Sequence, residues 1–235
     1  MPEWPSLALS GLVVNAFRYD DFNLVIIYGP LRMGKSAYSM KVLGEVYDYF
    51  YGEKLSPSLL KEFMGFHPAE VIENWMNIDK RIPMYIWDDA GFWLFSMDWN
   101  NPLLRAIQKY FNVIGTDMNT LVLTTPDPTW ILSKLVNMPG TLRGQVMKTD
   151  STRWARKCRG YKPYRSPDLK KTGVNVKWED RYNCKIPDNV YSYYKPMRDE
   201  YARLAKRAVV DTILKKKSDD HKEAVKNLNY LADKA

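Results

Sequence analysis

The chain has 235 residues, 46% hydrophobic and 14% aromatic, enough apolar matter for one α/β domain with an appendage. No apolar run approaches the roughly 18–20 residues of a membrane span, Met1-Pro2-Glu3-Trp4 lacks the character of a signal peptide, and two cysteines with two histidines argue against a disulfide framework or a zinc site, so a cytoplasmic protein without a membrane partner is expected. The net charge of +8 is unevenly placed: residues 1–150 hold 13 Lys and Arg against 16 Asp and Glu, and residues 151–235 hold 22 against 11.

The apolar run Leu24-Val25-Ile26-Ile27-Tyr28 reads as a strand. It leads into Gly29-Pro30-Leu31-Arg32-Met33-Gly34-Lys35-Ser36, which fits G-x-x-x-x-G-K-[ST], the phosphate-binding loop of nucleotide hydrolases. The loop and Ala37 can present backbone N–H groups to a phosphate at a helix N-terminus, Lys35 can reach the β and γ oxygens, and the Ser36 hydroxyl can hold Mg²⁺. A helix is expected over about 35–50 and helical structure over about 57–77, interrupted at Pro68. Residues Ile82 to Trp87 read as a buried parallel strand that stops at Asp88-Asp89. A helix over about 102–113 precedes a strand at Leu121-Val122-Leu123 that ends at Thr124-Thr125. A helix at about 129–137 and a strand at 145–147 follow. Strands alternating with helices imply a three-layer α/β core with a parallel sheet, a P-loop NTPase, over 1–150. A basic, aromatic, loop-rich extension with C-terminal helices is expected over 151–235.

Two carboxylates after a strand suit a hydrolytic nucleotide site. Asp88 would hold Mg²⁺ and Asp89 would act as general base; the plainer reading is a cap on the next helix. Thr124 or Thr125 would sense the γ-phosphate or position water, or would only turn the chain into Pro126. Arg143 is a candidate arginine finger for a neighbouring subunit's nucleotide, against a surface arginine.

The order of phosphate loop, Asp88-Asp89, polar strand end and arginine resembles the AAA+ and related ring-forming ATPases. Tyr85-Ile86-Trp87-Asp88-Asp89 with Leu121-Val122-Leu123-Thr124-Thr125 looks most like the DnaA-like ATPases of bacteria and of crenarchaeal viruses and plasmids, over about residues 22–150. That resemblance implies ATP and Mg²⁺ as cofactors, hydrolysis, homo-oligomers with sites between subunits, and action on DNA. Asp89 stands where most AAA+ proteins have Glu, and no helical lid is evident after residue 150. Asp88-Asp89-Ala90-Gly91 also fits the D-x-x-G of GTPases, whose base-reading [NT]-K-x-D has no counterpart in Thr124-Thr125-Pro126-Asp127.

Between Ser151 and Lys171 stand Arg153, Arg156, Lys157, Arg159, Lys162, Arg165, Lys170 and Lys171 against one acid, with Trp154, Tyr161 and Tyr164 interleaved. Cations among stacking rings suit nucleic acid; a solvated hairpin with its aromatics in the core is the competing reading. Helical spacing recurs over Pro196–Leu214, with a short capped helix after Asp220. The functional expectation is a Mg²⁺-dependent ATPase acting on DNA in replication initiation or helicase loading. A DNA packaging or translocating motor, or a nucleotide switch that binds a protein partner, are the alternatives.

Overall fold

The computed structural model describes residues 3–149, 152–165 and 172–232, with side chains left undescribed at Arg165, Thr212 and from Lys215 onward. In chain order the elements are α1 (Ala8–Arg18), β1 (Asn23–Tyr28), α2 (Lys35–Tyr51), α3 (Pro57–Phe63), β2 (Met64–Gly65), α4 (Pro68–Met76), β3 (Tyr85–Trp87), α5 (Ala90–Trp93), α6 (Pro102–Tyr110), β4 (Thr120–Thr125), α7 (Ser133–Val136), β5 (Leu142–Lys148), β6 (Ala155–Arg165), β7 (Thr172–Asn183) and α8 (Asp188–Ala232). Three helices open alike. Ser56, His67 and Asn101 each accept a hydrogen bond from a first-turn N–H, and Pro57, Pro68 and Pro102 follow, where the missing N–H costs nothing.

The strands form one mixed, mostly parallel sheet of seven in the order β2-β3-β4-β1-β5-β6-β7. The first five run parallel, and β6 and β7 add an antiparallel hairpin at one edge. Every residue of β3 and β4 and the middle four of β1 are buried. Successive side chains on a strand face opposite ways, so both faces of the central sheet are covered. That is the α/β sheet read from the apolar runs.

Several details differ from the sequence reading. Helix α1 has no counterpart in it, because Leu7 to Phe17 carries neither a self-capping residue nor a charged face to mark its start. The cap comes from far away: Asp180 on β7 accepts the N–H groups of Ala8 at 2.7 Å and Leu9 at 3.2 Å. The two-residue β2 lies within the stretch read as interrupted helix. The expected helix at 129–137 is a 3-10 turn, Pro128–Trp130, and the one-turn α7, because the chain must return to pair as β5.

The largest difference concerns the basic segment. Residues expected to be loop-rich form β6 and β7, whose pairing with β5 carries the first compact unit to Ser192 instead of stopping near residue 150. The second unit, Tyr193–Ala235, is described as helix to Ala232, without a break at Asp220. The division lies just ahead of Pro196, which has no N–H to give the Ser192 carbonyl.

Asp180 also accepts the Tyr38 hydroxyl at 2.6 Å, and the Trp178 indole N–H donates to the same hydroxyl at 3.0 Å. All three side chains are buried, so this polar cluster pins α1, α2 and β7 together. Burial and the neighbouring carboxylate push the Tyr38 hydroxyl well above its ordinary pKa, which keeps it a donor. Replacing Asp180 by Ala strands the Tyr38 hydroxyl and two helix N–H groups. It is expected to cost roughly 3 kcal/mol in urea unfolding, with Asp180→Asn costing less.

Candidate nucleotide site

The phosphate loop joins β1 to α2 at the end of the central strand, where a parallel sheet leaves its ligand crevice. Gly34 sits at the N-cap of α2 with φ +88°, in the left-handed region. A Cβ there would lie 2.8 Å from Cys184 Cβ, so the position needs glycine on both counts. Arg32, with φ +61°, takes the left-handed region without that freedom and lies exposed beside Pro30 and Leu31. Lys35 is buried, and its ammonium donates to the carbonyls of Gly29 at 2.8 Å and Pro30 at 3.0 Å. Met33, Ser36 and Ala37 complete the turn into the helix.

Strand β3 ends beside that turn. The fully buried Asp88 accepts the Ser36 hydroxyl at 2.9 Å and the Thr124 hydroxyl at 2.5 Å on one carboxylate oxygen. The Asp89 N–H donates to the Thr124 oxygen at 2.8 Å. Asp89 itself has φ +50° and is half-buried. It occupies the N-cap position of α5, although its side chain makes no capping bond there. Ser36 and Asp88 are two hard oxygen donors on adjacent elements, the kind of partial shell that suits Mg²⁺, an ion that keeps waters and phosphate oxygens for its remaining positions. Among the described residues no cluster of three or more His, Cys, Asp or Glu exists to hold a metal otherwise.

Two expected catalytic residues are placed differently. Thr125, one residue past Thr124, faces the other way; its hydroxyl donates to the Asp127 carbonyl at 2.9 Å, and Gly91 packs so closely that an added Cβ would lie 2.3 Å from it. Thr124 therefore takes the place read for either threonine. Arg143 is half-buried in β5 and donates to the Val136 carbonyl at 3.2 Å, at the end of α7 in its own chain.

The basic residues divide by strand alternation. Arg153, Arg159 and Lys162 are exposed, and Arg153 lies 4.9 Å from the centre of the Trp154 ring. Lys157 and Arg159 both pair with Glu179, at 3.6 and 3.1 Å. Arg156 departs from the expected nucleic-acid set. It is buried, donating through Nε to the Met33 carbonyl of the phosphate loop at 3.0 Å and through a terminal nitrogen to the carbonyls of Arg153 and Ala155. Tyr182, opposite it on β7, donates its hydroxyl to the Gly34 carbonyl at 3.0 Å. Neither contact is legible in the sequence, although the alternation of Arg156, Cys158 and Gly160 with Lys157 and Arg159 carries a strand signal. The side chain of Arg165 and all of Lys170 and Lys171 lie outside the described residues.

The sheet order and the loop after β1 are those of a mixed, mostly parallel α/β sheet compatible with a P-loop NTPase fold. No family model matches the chain. It is similar to the uncharacterized protein B-251 of Sulfolobus spindle-shape virus 1, 28% identical over 218 residues that cover 85% of this chain and 82% of that protein. It is also similar to the uncharacterized protein ORF286 of Acidianus two-tailed virus, 25% identical over 137 residues, covering 55% of this chain and 45% of that one. Among solved structures, the N-terminal domain of zonular occludens toxin from Neisseria meningitidis is similar over 73% of this chain and 98% of its own, with 12% identity and a TM-score of 0.37. At that level the likeness adds nothing to the geometry above. No helix among the described residues is long and apolar enough to cross a membrane.

Gly34→Ala is expected to destabilise the protein by about 2 kcal/mol in thermal or urea unfolding, through the left-handed backbone and the contact with Cys184. An unchanged transition would show that the loop adopts another course.

Proposed function

We propose that the protein is a Mg²⁺-dependent ATPase whose nucleotide cycle acts on DNA, in replication initiation or helicase loading. The observation that carries the reading is the sharing of the buried Asp88 carboxylate between Ser36 and Thr124. It brings the hydroxyl that the phosphate-loop pattern assigns to Mg²⁺ onto the acid that the strand end supplies. Mg²⁺, when bound, neutralises charge on the β- and γ-phosphate oxygens. Lys35 would exchange its loop carbonyls for those oxygens, and the N-terminus of α2 would face the anion. Asp89 would accept the proton of the attacking water, with its backbone held by Thr124.

The DNA reading is supported by the exposed cations of the β6–β7 hairpin and by the exposed rings of Trp154 and Tyr164. The Glu179 pairs with Lys157 and Arg159 weaken that face as a phosphate track, so Arg153, Lys162 and Arg181 would carry more of the contact. The finer assignment among DnaA-like ATPases rests on the sequence motifs, and homo-oligomers belong to the same proposal.

Lys35→Ala is expected to abolish nucleotide binding, and Asp89→Asn to lower ATP turnover by about 10²-fold or more with binding retained. Chelating Mg²⁺ with EDTA should stop turnover in the wild type. Single-stranded DNA should stimulate hydrolysis at low salt and lose its effect at high salt. Preference for GTP, or turnover indifferent to DNA, would overturn the DNA-acting reading in favour of a nucleotide switch.

A further inference from the structure

We propose that Arg156 and Tyr182, on the strands beyond the parallel core, are positioning residues that aim the backbone N–H groups of the phosphate loop at the nucleotide; this rests on the nucleotide-binding reading of the loop. In a trans peptide the carbonyl of one residue and the N–H of the next point in opposite directions. The Arg156 bond to the Met33 carbonyl therefore sets the Gly34 N–H, and the Tyr182 bond to the Gly34 carbonyl sets the Lys35 N–H. The Gly34 carbonyl also accepts the Tyr38 N–H at 3.0 Å, so both its lone pairs are engaged as the helix begins. These are the N-cap N–H and the first N–H of the helix, the ones that join the helix N-terminus to the anion cradle.

Both posts are themselves held rigidly. Arg156 is anchored by the Arg153 and Ala155 carbonyls at 2.9 and 2.8 Å, and its bond to Met33 is charge-assisted. The Tyr182 ring packs on Tyr38 with centroids 4.9 Å apart, and Tyr38 is fixed in turn by Asp180 and Trp178. Burial raises the Tyr182 hydroxyl above its ordinary pKa and keeps it protonated as a donor. Cys184, just past β7, closes over Gly34 from the same side. With the Met33 and Gly34 carbonyls turned toward the hairpin, this end of the loop need not reorganise to present the Gly34 and Lys35 N–H groups, and the cost of ordering it is met before the nucleotide arrives.

The test measures the dissociation constant for a fluorescent ATP analogue with Mg²⁺, steady-state ATP hydrolysis, and the nucleotide-free melting temperature. Tyr182→Phe, which keeps the ring packing, is compared with Arg156→Met and Lys35→Ala. Tyr182→Phe is expected to weaken binding about three- to tenfold and to raise KM by the same factor, with kcat within about twofold of wild type. Its nucleotide-free melting temperature should stay within about 3 °C of wild type. Arg156→Met should weaken binding further. Unchanged binding by Tyr182→Phe, while Lys35→Ala loses it, overturns the proposal and leaves the nucleotide reading standing. A lowered melting temperature with reduced kcat and unchanged KM also overturns it, because that pattern marks loss of folded protein. Full binding by Lys35→Ala overturns the phosphate-loop reading and this inference with it.

Discussion

A fully buried carboxylate has to be satisfied, and the way Asp88 is satisfied organises the site. Two of its partners come from other elements: Ser36 from the start of α2 and Thr124 from the end of β4. The Asp89 N–H, on the same turn, leans on the same threonine. This works only because β3, β4 and β1 pair in parallel with Trp87 beside Leu123 and Leu123 beside Ile26, so their ends reach one level. A register slip of one residue would send Thr124 to the opposite face and bring Thr125 in its place. The buried carboxylate is thus tied to the register.

A second constraint comes from the edge of the sheet. The β6–β7 hairpin continues the sheet from β5, and strand alternation gives its two faces different work. One face carries Arg156, Cys158, Trp178, Asp180 and Tyr182, all buried, which cap α1, hold Tyr38 and reach the phosphate loop. The other carries Lys157, Arg159 and Arg181, together with Glu179. A basic segment that composition marks as a separate appendage is, on one side, part of the core's own support.

Legibility followed locality. The phosphate loop, its flanking strand and helix, and the acidic pair after a buried strand are short-range patterns, and each lies where the pattern puts it. Helix α1 escaped because its cap is Asp180, more than 170 residues away in sequence. Thr124 and Thr125 could not be told apart, since which one meets Asp88 depends on the pairing register of β4. Arg143 and Arg156 look alike as isolated cations; the Val136 carbonyl and the Met33 carbonyl that occupy them are set by chain segments distant in sequence or folded back on themselves.

What the sequence by itself determined was the strand, loop and helix over residues 23–51, because the eight residues that fit the phosphate-loop pattern carry glycine where the backbone turns left-handed and stand between an apolar run and a helical one. It also determined the α/β class and the parallel part of the sheet, because runs buried on both faces read as uninterrupted apolar stretches, but not the antiparallel pair β6 and β7. Only the tertiary structure decided which hydroxyl meets Asp88, which cations stay exposed and which residues hold the loop. Those outcomes depend on strand order and register, and on pairing between residues far apart in the chain, which no local pattern encodes.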